Sequence, residues 1–142
     1  YQKTIFVGHD AWDTFATNID KKMFNNSATV PVHTLDDELK EIDKERISLV
    51  KIDVEGWEKF VLTGAKEFLT KYEPVLMVEF TENNTEAAGY NVLELYDIMS
   101  SFGYKWYKYI NGNLIPEKRN KRYIYDNLIA IKNIQKVNSR LS

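Results

Sequence analysis

Hydrophobic and polar residues alternate along the chain in the pattern of strands separated by helices. Segments rich in β-branched and apolar residues predict strands, and segments with an apolar residue every three to four positions predict helices. The predicted strands span residues 4–7, 30–33, 47–54, 75–80, 104–110 and 123–132, and the predicted helices span residues 34–46, 57–72 and 91–102. Short crossovers between strand and helix favour an α/β fold with a largely parallel core and an antiparallel closing strand.

The segment 49–58 is the most informative one, because an apolar strand there leads directly into an acidic turn and then a helix. Asp53 and Glu55 are two residues apart at the strand end, so their side chains should leave the same face. Glu79 and Glu82 flank the end of the next predicted strand. Open α/β sheets bind ligands at the carboxyl edge of their strands. The sequence therefore predicts an acidic rim at this edge.

Crowded carboxylates suit two kinds of chemistry. They raise one another's pKa values and can then act as a general base, or they can bind Mg²⁺ or Ca²⁺ through oxygen ligands. Spacing alone is weak support for a metal, so none is assigned. Glu58 could take part in the chemistry or stabilise the start of its helix. Of the two histidines, His33 is a better functional candidate than His9.

Composition narrows the possible functions. With 142 residues, 44% of them hydrophobic, the chain can bury one core, so we predict one domain over residues 1–133 and a frayed tail over 134–142. A net charge of -2 disfavours a nucleic-acid partner. The absence of cysteine excludes disulfides and a thiol nucleophile, and it fits a cytoplasmic location. No apolar run is long enough to span a membrane, and no local motif for nucleotide binding occurs.

Several short motifs together resemble a known family. They are Thr34-Leu35-Asp36, the run Val-Lys-Ile-Asp-Val-Glu-Gly-Trp-Glu over 50–58, Val-Leu-Thr-Gly-Ala over 61–65, Pro74 and Glu79. In this order they resemble the C-terminal half of the FkbM-type S-adenosylmethionine-dependent methyltransferases. The resemblance implies a Rossmann-like class I methyltransferase sheet, truncated here, and residues 1–133 as the C-terminal part of that domain. It also implies O-methylation of a hydroxyl on a small-molecule, saccharide or natural-product acceptor.

The same resemblance assigns roles to the acidic residues. It places Asp53 and Glu55 at the end of the fourth strand, facing the transferring methyl group, and matches Glu58 and Glu79 to further family acids. We therefore expect catalytic roles for Asp53, Glu55 and Glu79. Substrate-binding or supporting roles are expected for Glu58, His33 and Glu82. Trp57 departs from the family, which often has a smaller residue at that position.

A larger departure concerns the cofactor. The family's first strand, its glycine-rich turn and the acid that holds the cofactor ribose would precede Tyr1, so we expect this chain alone to bind S-adenosylmethionine weakly or not at all and to be inactive. Its fourth strand would then be an exposed edge capable of self-association. The alternative is a non-catalytic binding or assembly module that uses this edge. A metal-dependent hydrolase that uses the acidic rim ranks third.

Overall fold

The computed structural model describes residues 2–7, 15, 26–43 and 47–141. Within these residues the chain forms seven strands and six short helices. The strands are β1 (Gln2–Val7), β2 (Asn26–Pro31), β3 (Leu49–Ile52), β4 (Val75–Thr81), β5 (Lys105–Ile110), β6 (Asn113–Pro116) and β7 (Tyr125–Ile131). The helices are α1 (Leu35–Glu38), α2 (Glu58–Thr63), α3 (Lys66–Tyr72), α4 (Glu82–Ala87), α5 (Leu93–Ser101) and α6 (Ile134–Leu141).

The strands form two separate sheets. β1 and β2 pair as an antiparallel two-stranded sheet, and the other five strands form a sheet in the order β3-β4-β7-β5-β6. The α/β class predicted from the sequence is therefore present. A mixed five-stranded sheet is consistent with a methyltransferase-like fold.

The prediction of a largely parallel core is only partly confirmed. β3 and β4 are parallel neighbours, whereas the β4–β7, β7–β5 and β5–β6 pairs are antiparallel. β3, β4 and β5 all run in the same direction, because β7 lies between β4 and β5 and is antiparallel to both. The last strand is thus antiparallel as predicted, but it enters the sheet and does not close its edge.

One face of this sheet carries the main hydrophobic core. Along β4, alternate residues are fully buried, as the two-residue period of a strand requires. Helices α2, α3 and α5 pack their apolar residues against this face. The largest buried side chains of the cluster include Leu76, Val78, Phe80, Trp106 and Leu128 from the sheet and Leu62, Phe68, Leu69, Leu95 and Met99 from the helices. The intervening residues of β4, including Glu79, lie on the other face and are partly exposed.

The helix predicted over residues 57–72 is in fact two helices. The helix is interrupted at Gly64 and Ala65, and α3 begins at Lys66. The second helix has a remote cap, because the Asp36 carboxylate accepts the backbone N–H groups of Glu67 (3.0 Å) and Phe68 (2.9 Å). A capped helix start satisfies donors that otherwise have no intrahelical partner. The break is therefore stabilised by a contact from α1.

Three other segments differ from the predictions. The helix expected over residues 34–46 is the single turn α1, which Thr34 caps, and residues 44–46 are outside the described part. Residues 82–87, which lie between the predicted elements, form α4. The tail expected to fray from residue 134 contains α6, whose apolar side has the period of a packed helix. None of the helices in the described residues is long and apolar enough to cross a membrane.

Candidate active site at the carboxyl edge of the sheet

The turn between β3 and α2 has an unusual backbone. The Trp57 N–H donates to the Val54 carbonyl at 3.1 Å, and both central residues have positive φ angles, 50° at Glu55 and 93° at Gly56. Two positive φ angles are typical of a type I′ turn. The left-handed region costs a residue with a side chain about 1–2 kcal/mol. Glu55 therefore keeps a strained conformation that the surrounding structure must stabilise.

Gly56 fits this turn for a second reason. A Cβ atom added there would lie 2.3 Å from the backbone oxygen of Asn84 and 2.8 Å from its carbonyl carbon. The turn thus packs directly against the backbone of α4, at a distance that only glycine permits. No local sequence pattern predicts this contact.

Glu58 holds the turn from the inside. One of its carboxylate oxygens accepts the N–H groups of Val54 (3.1 Å) and Gly56 (3.3 Å), and the other accepts the Tyr90 hydroxyl at 3.3 Å. The side chain is only 1% exposed, and this burial raises its pKa. The geometry supports a structural role for Glu58 at the start of α2, beneath the acidic turn.

Three carboxylates meet above the turn. In the parallel register Ile52 lies beside Val78, so the next residues along the two strands, Asp53 and Glu79, are neighbours. Carboxylate oxygens of Asp53, Glu55 and Glu79 all lie within 4.8 Å of one another. These are the three residues for which a catalytic role is predicted, and we refer to them as the acidic cluster.

The acidic cluster has the electrostatics of crowded, partly buried acids. Burial raises the pKa of Glu55, and the negative charge of Asp53 raises it further. The same two causes raise the pKa of Glu79. Lys51 pairs with Asp53 at 2.5 Å, and the Asn84 amide donates to Glu55 at 2.7 Å. The cluster therefore combines two carboxylates that hold protons more strongly than usual with one carboxylate that is paired to a lysine.

This arrangement permits two kinds of chemistry. A carboxylate whose pKa is raised is a stronger base than usual and can accept a proton from a hydroxyl group. The same three side chains offer the oxygen ligands that Mg²⁺ and Ca²⁺ prefer, although acidic groups of this kind are common without a metal.

The structure places the other two predicted site residues outside the acidic cluster. Glu82, the first residue of α4, pairs with the exposed Arg122 at 2.5 Å. His33 is exposed and contacts Glu38 at 2.5 Å, next to α1. Their supporting roles remain predictions without a contact to the cluster. His9 lies outside the described residues.

Aromatic rings flank the acidic turn on one side. The Trp57 ring lies 4.3 Å from the Phe60 ring and 5.1 Å from the Phe15 ring, measured between centroids. The large residue at position 57 therefore belongs to an aromatic group beside the turn.

A separate cavity of about 240 Å³ lies at the opposite edge of the sheet, where β3 and β4 begin. Its walls include Leu49, Val75, Ile131 and Val137. None of the six predicted site residues lines it, so it is distinct from the acidic cluster.

Two polar residues of the site are not predicted by the sequence pattern. Asn84 contacts Glu55 and Tyr90 contacts Glu58, although 29 and 32 residues separate the partners in each pair. Asn84 lies in a segment that its polar composition made look like a loop. A helix prediction there would have placed Asn84 on a rigid element close to the end of β4.

Comparison of the sequence with known families identifies the family of the chain. A family model described as the methyltransferase FkbM domain matches residues 4–106 of the chain. The chain belongs to the FkbM methyltransferase family. The resemblance found in the motifs is thereby confirmed, and the family match includes β3, α2, β4 and all three residues of the acidic cluster. No curated protein and no solved structure matches the chain.

Proposed function

We propose that this FkbM family member takes part in methyl transfer from S-adenosylmethionine to a hydroxyl oxygen of a saccharide or natural-product acceptor. The observation that carries the proposal is the acidic cluster at the carboxyl edge of β3 and β4, in a chain of a methyltransferase family. Ligands of α/β folds bind at this edge.

The acidic cluster fits the reactive end of S-adenosylmethionine. When bound, this cofactor supplies a methyl group on a positively charged sulfonium. The side chains of Asp53, Glu55 and Glu79 provide negative charge at a single place, which suits a cation. These three residues are therefore the ones that we assign to the methyl-transfer end of the site.

The chain's own residues then have separate tasks. Glu55 and Glu79, whose pKa values are raised by burial and by the Asp53 charge, suit acceptance of the proton from the acceptor hydroxyl. Asp53, fixed by Lys51, suits orientation of the acceptor. Glu58 and Tyr90 hold the turn that carries Glu55. Because methyl transfer depends mainly on alignment of donor and acceptor, a rigid turn is valuable here.

The test begins with calorimetric titration of S-adenosylmethionine and S-adenosylhomocysteine into this chain and into the longest form that its gene encodes. We expect binding by the longer form, and transfer of labelled methyl groups by it to methyl glycosides or related alcohols. E55Q and E79Q should each lower kcat about 100-fold with cofactor binding retained, whereas the control E86Q should not. If neither form binds the cofactor although both are folded, the proposal is overturned.

A second candidate, an assembly role, is favoured by one observation. β3 is the outermost strand of the five-stranded sheet among the described residues, and its Leu49 side chain is 61% exposed. An exposed apolar edge strand can pair with another chain. This role is compatible with methyl transfer and has its own test, given below.

A further inference from the structure

α4 supports the acidic turn through one residue. The Asn84 side-chain amide donates to Glu55 Oε2 at 2.7 Å, and the Asn84 backbone touches Gly56, the next residue of the turn. Asn84 is itself fixed, because its carbonyl accepts the Ala88 N–H at 3.0 Å at the end of the helix. One residue of α4 therefore contacts both the Glu55 side chain and the Gly56 backbone of the turn.

Glu55 needs such support more than its neighbours do. Its backbone has a positive φ of 50°, and it lies near the charges of Asp53 and Glu58. A free glutamate side chain would rotate away from other carboxylates. An amide donor opposes this rotation and adds no charge to the cluster, which a lysine at the same place would do.

We propose that Asn84 is a positioning residue for methyl transfer, which holds the Glu55 carboxylate within the acidic cluster through its side-chain amide. This inference rests on the proposed function for its catalytic meaning. Its structural part, that Asn84 keeps the turn of Glu55 in place, can be tested without turnover.

The chain offers a matched control for every change at this position. Asn83 is the preceding residue of the same helix, and its side chain is exposed. N84D and N83D introduce the same charge one residue apart. N84D replaces the donor with a carboxylate that faces Glu55, whereas N83D adds its charge to the exposed side.

The first measurement is amide hydrogen exchange by NMR at Gly56 and Trp57, whose N–H groups bond within the turn. We expect exchange to accelerate about tenfold in N84D and less in N84A, and to remain unchanged in N83D. The double variant N84D/E55Q exchanges donor and acceptor, so slow exchange should return. Equal exchange rates in N84D and N83D would overturn the proposal, as would the absence of rescue in the double variant.

The second measurement is methyl transfer to methyl glycosides by the longest form of the protein. N84D should lower kcat at least tenfold with an unchanged KM for S-adenosylmethionine, because Asp53 and Glu79 still supply negative charge for the sulfonium while Glu55 loses its position. N84D/E55Q should remain slow, since it restores the turn without restoring the Glu55 carboxylate. If the unsubstituted protein transfers no methyl group, the proposed function fails, and the exchange rates alone decide the role of Asn84.

Discussion

At the scale of single residues, the close contact of Gly56 with α4 gives a sharp prediction. G56A should lower the free energy of unfolding by about 3 kcal/mol, because the new methyl group overlaps the Asn84 carbonyl and the φ of 93° disfavours alanine. The matched control is G112A. Gly112 has a φ of 84° but no atom within 4 Å of the added Cβ, so this change should cost only about 1 kcal/mol. If urea unfolding shows that G56A and G112A lose the same free energy of unfolding, the close contact of Gly56 with α4 is contradicted.

Glu79 gives a prediction that depends on pH. Its pKa is raised in the folded protein, so the folded state binds the proton more tightly than the unfolded state does. The stability that this group contributes to the folded state is complete below its ordinary pKa of about 4.5. It is lost as the pH rises through the raised pKa of the folded protein. E79Q should therefore stabilise the protein by about 0.5 kcal/mol at pH 7, after allowance for solvent screening, and hardly at all at pH 4.

Urea unfolding at the two pH values checks this effect of E79Q. E86Q is the control, because Glu86 is an exposed acid on α4 outside the acidic cluster. A loss of stability at pH 7 in E79Q, or an equal gain at pH 4, would show that burial and the neighbouring charges do not disfavour ionised Glu79.

The residues of the acidic cluster were predictable because local rules determine them. The end of β3 places Asp53 at the carboxyl edge, and the parallel register adds Glu79 beside it. Glu55 was expected on the same face because of the two-residue period of a strand, but it reaches the other two acids from the left-handed turn that follows β3. The partners that hold these acids could not be found in the same way. Asn84 in α4 and Tyr90 in the segment between α4 and α5 contact Glu55 and Glu58 only through tertiary packing, which no local pattern encodes.

At the scale of elements, the junction between α1 and α3 can be tested through its remote cap. D36A removes the acceptor for two N–H groups at the start of α3 and should lower the free energy of unfolding by about 1–2 kcal/mol. E41A is the control, since Glu41 is exposed and lies beyond α1. Urea unfolding of both variants measures the difference. A D36A variant as stable as E41A would mean that the cap does not stabilise the break at Gly64.

The elements also show which structural features a sequence can predict. β4 and α5 were predictable because a nearly continuous apolar run and a clear helical period identify them. The division into α2 and α3 was not predictable, because it depends on Asp36, about 30 residues earlier. The position of β7 between β4 and β5 was also not predictable, since strand order is set by packing of the whole sheet and by no single strand.

At the scale of the whole molecule, the free edge of the five-stranded sheet predicts association. β3 carries the exposed Leu49, and among the described residues it pairs on one side only, with β4. We expect this chain to self-associate with rising concentration, as followed by analytical ultracentrifugation. L49K should weaken the association about tenfold, because a lysine on an edge strand must lose hydration when a second strand pairs with it.

The control for L49K separates the edge from general surface hydrophobicity. Ile124 is 67% exposed, close to the 61% of Leu49, but it precedes β7 and is not on the edge strand. If I124K weakens association as much as L49K does, apolar exposure and not the β3 edge drives it. If the unsubstituted chain does not associate at any concentration, the assembly role fails. The acidic cluster would be unaffected by that result, because Asp53, Glu55 and Glu79 are brought together within one chain by the β3–β4 pairing and the turn that follows β3.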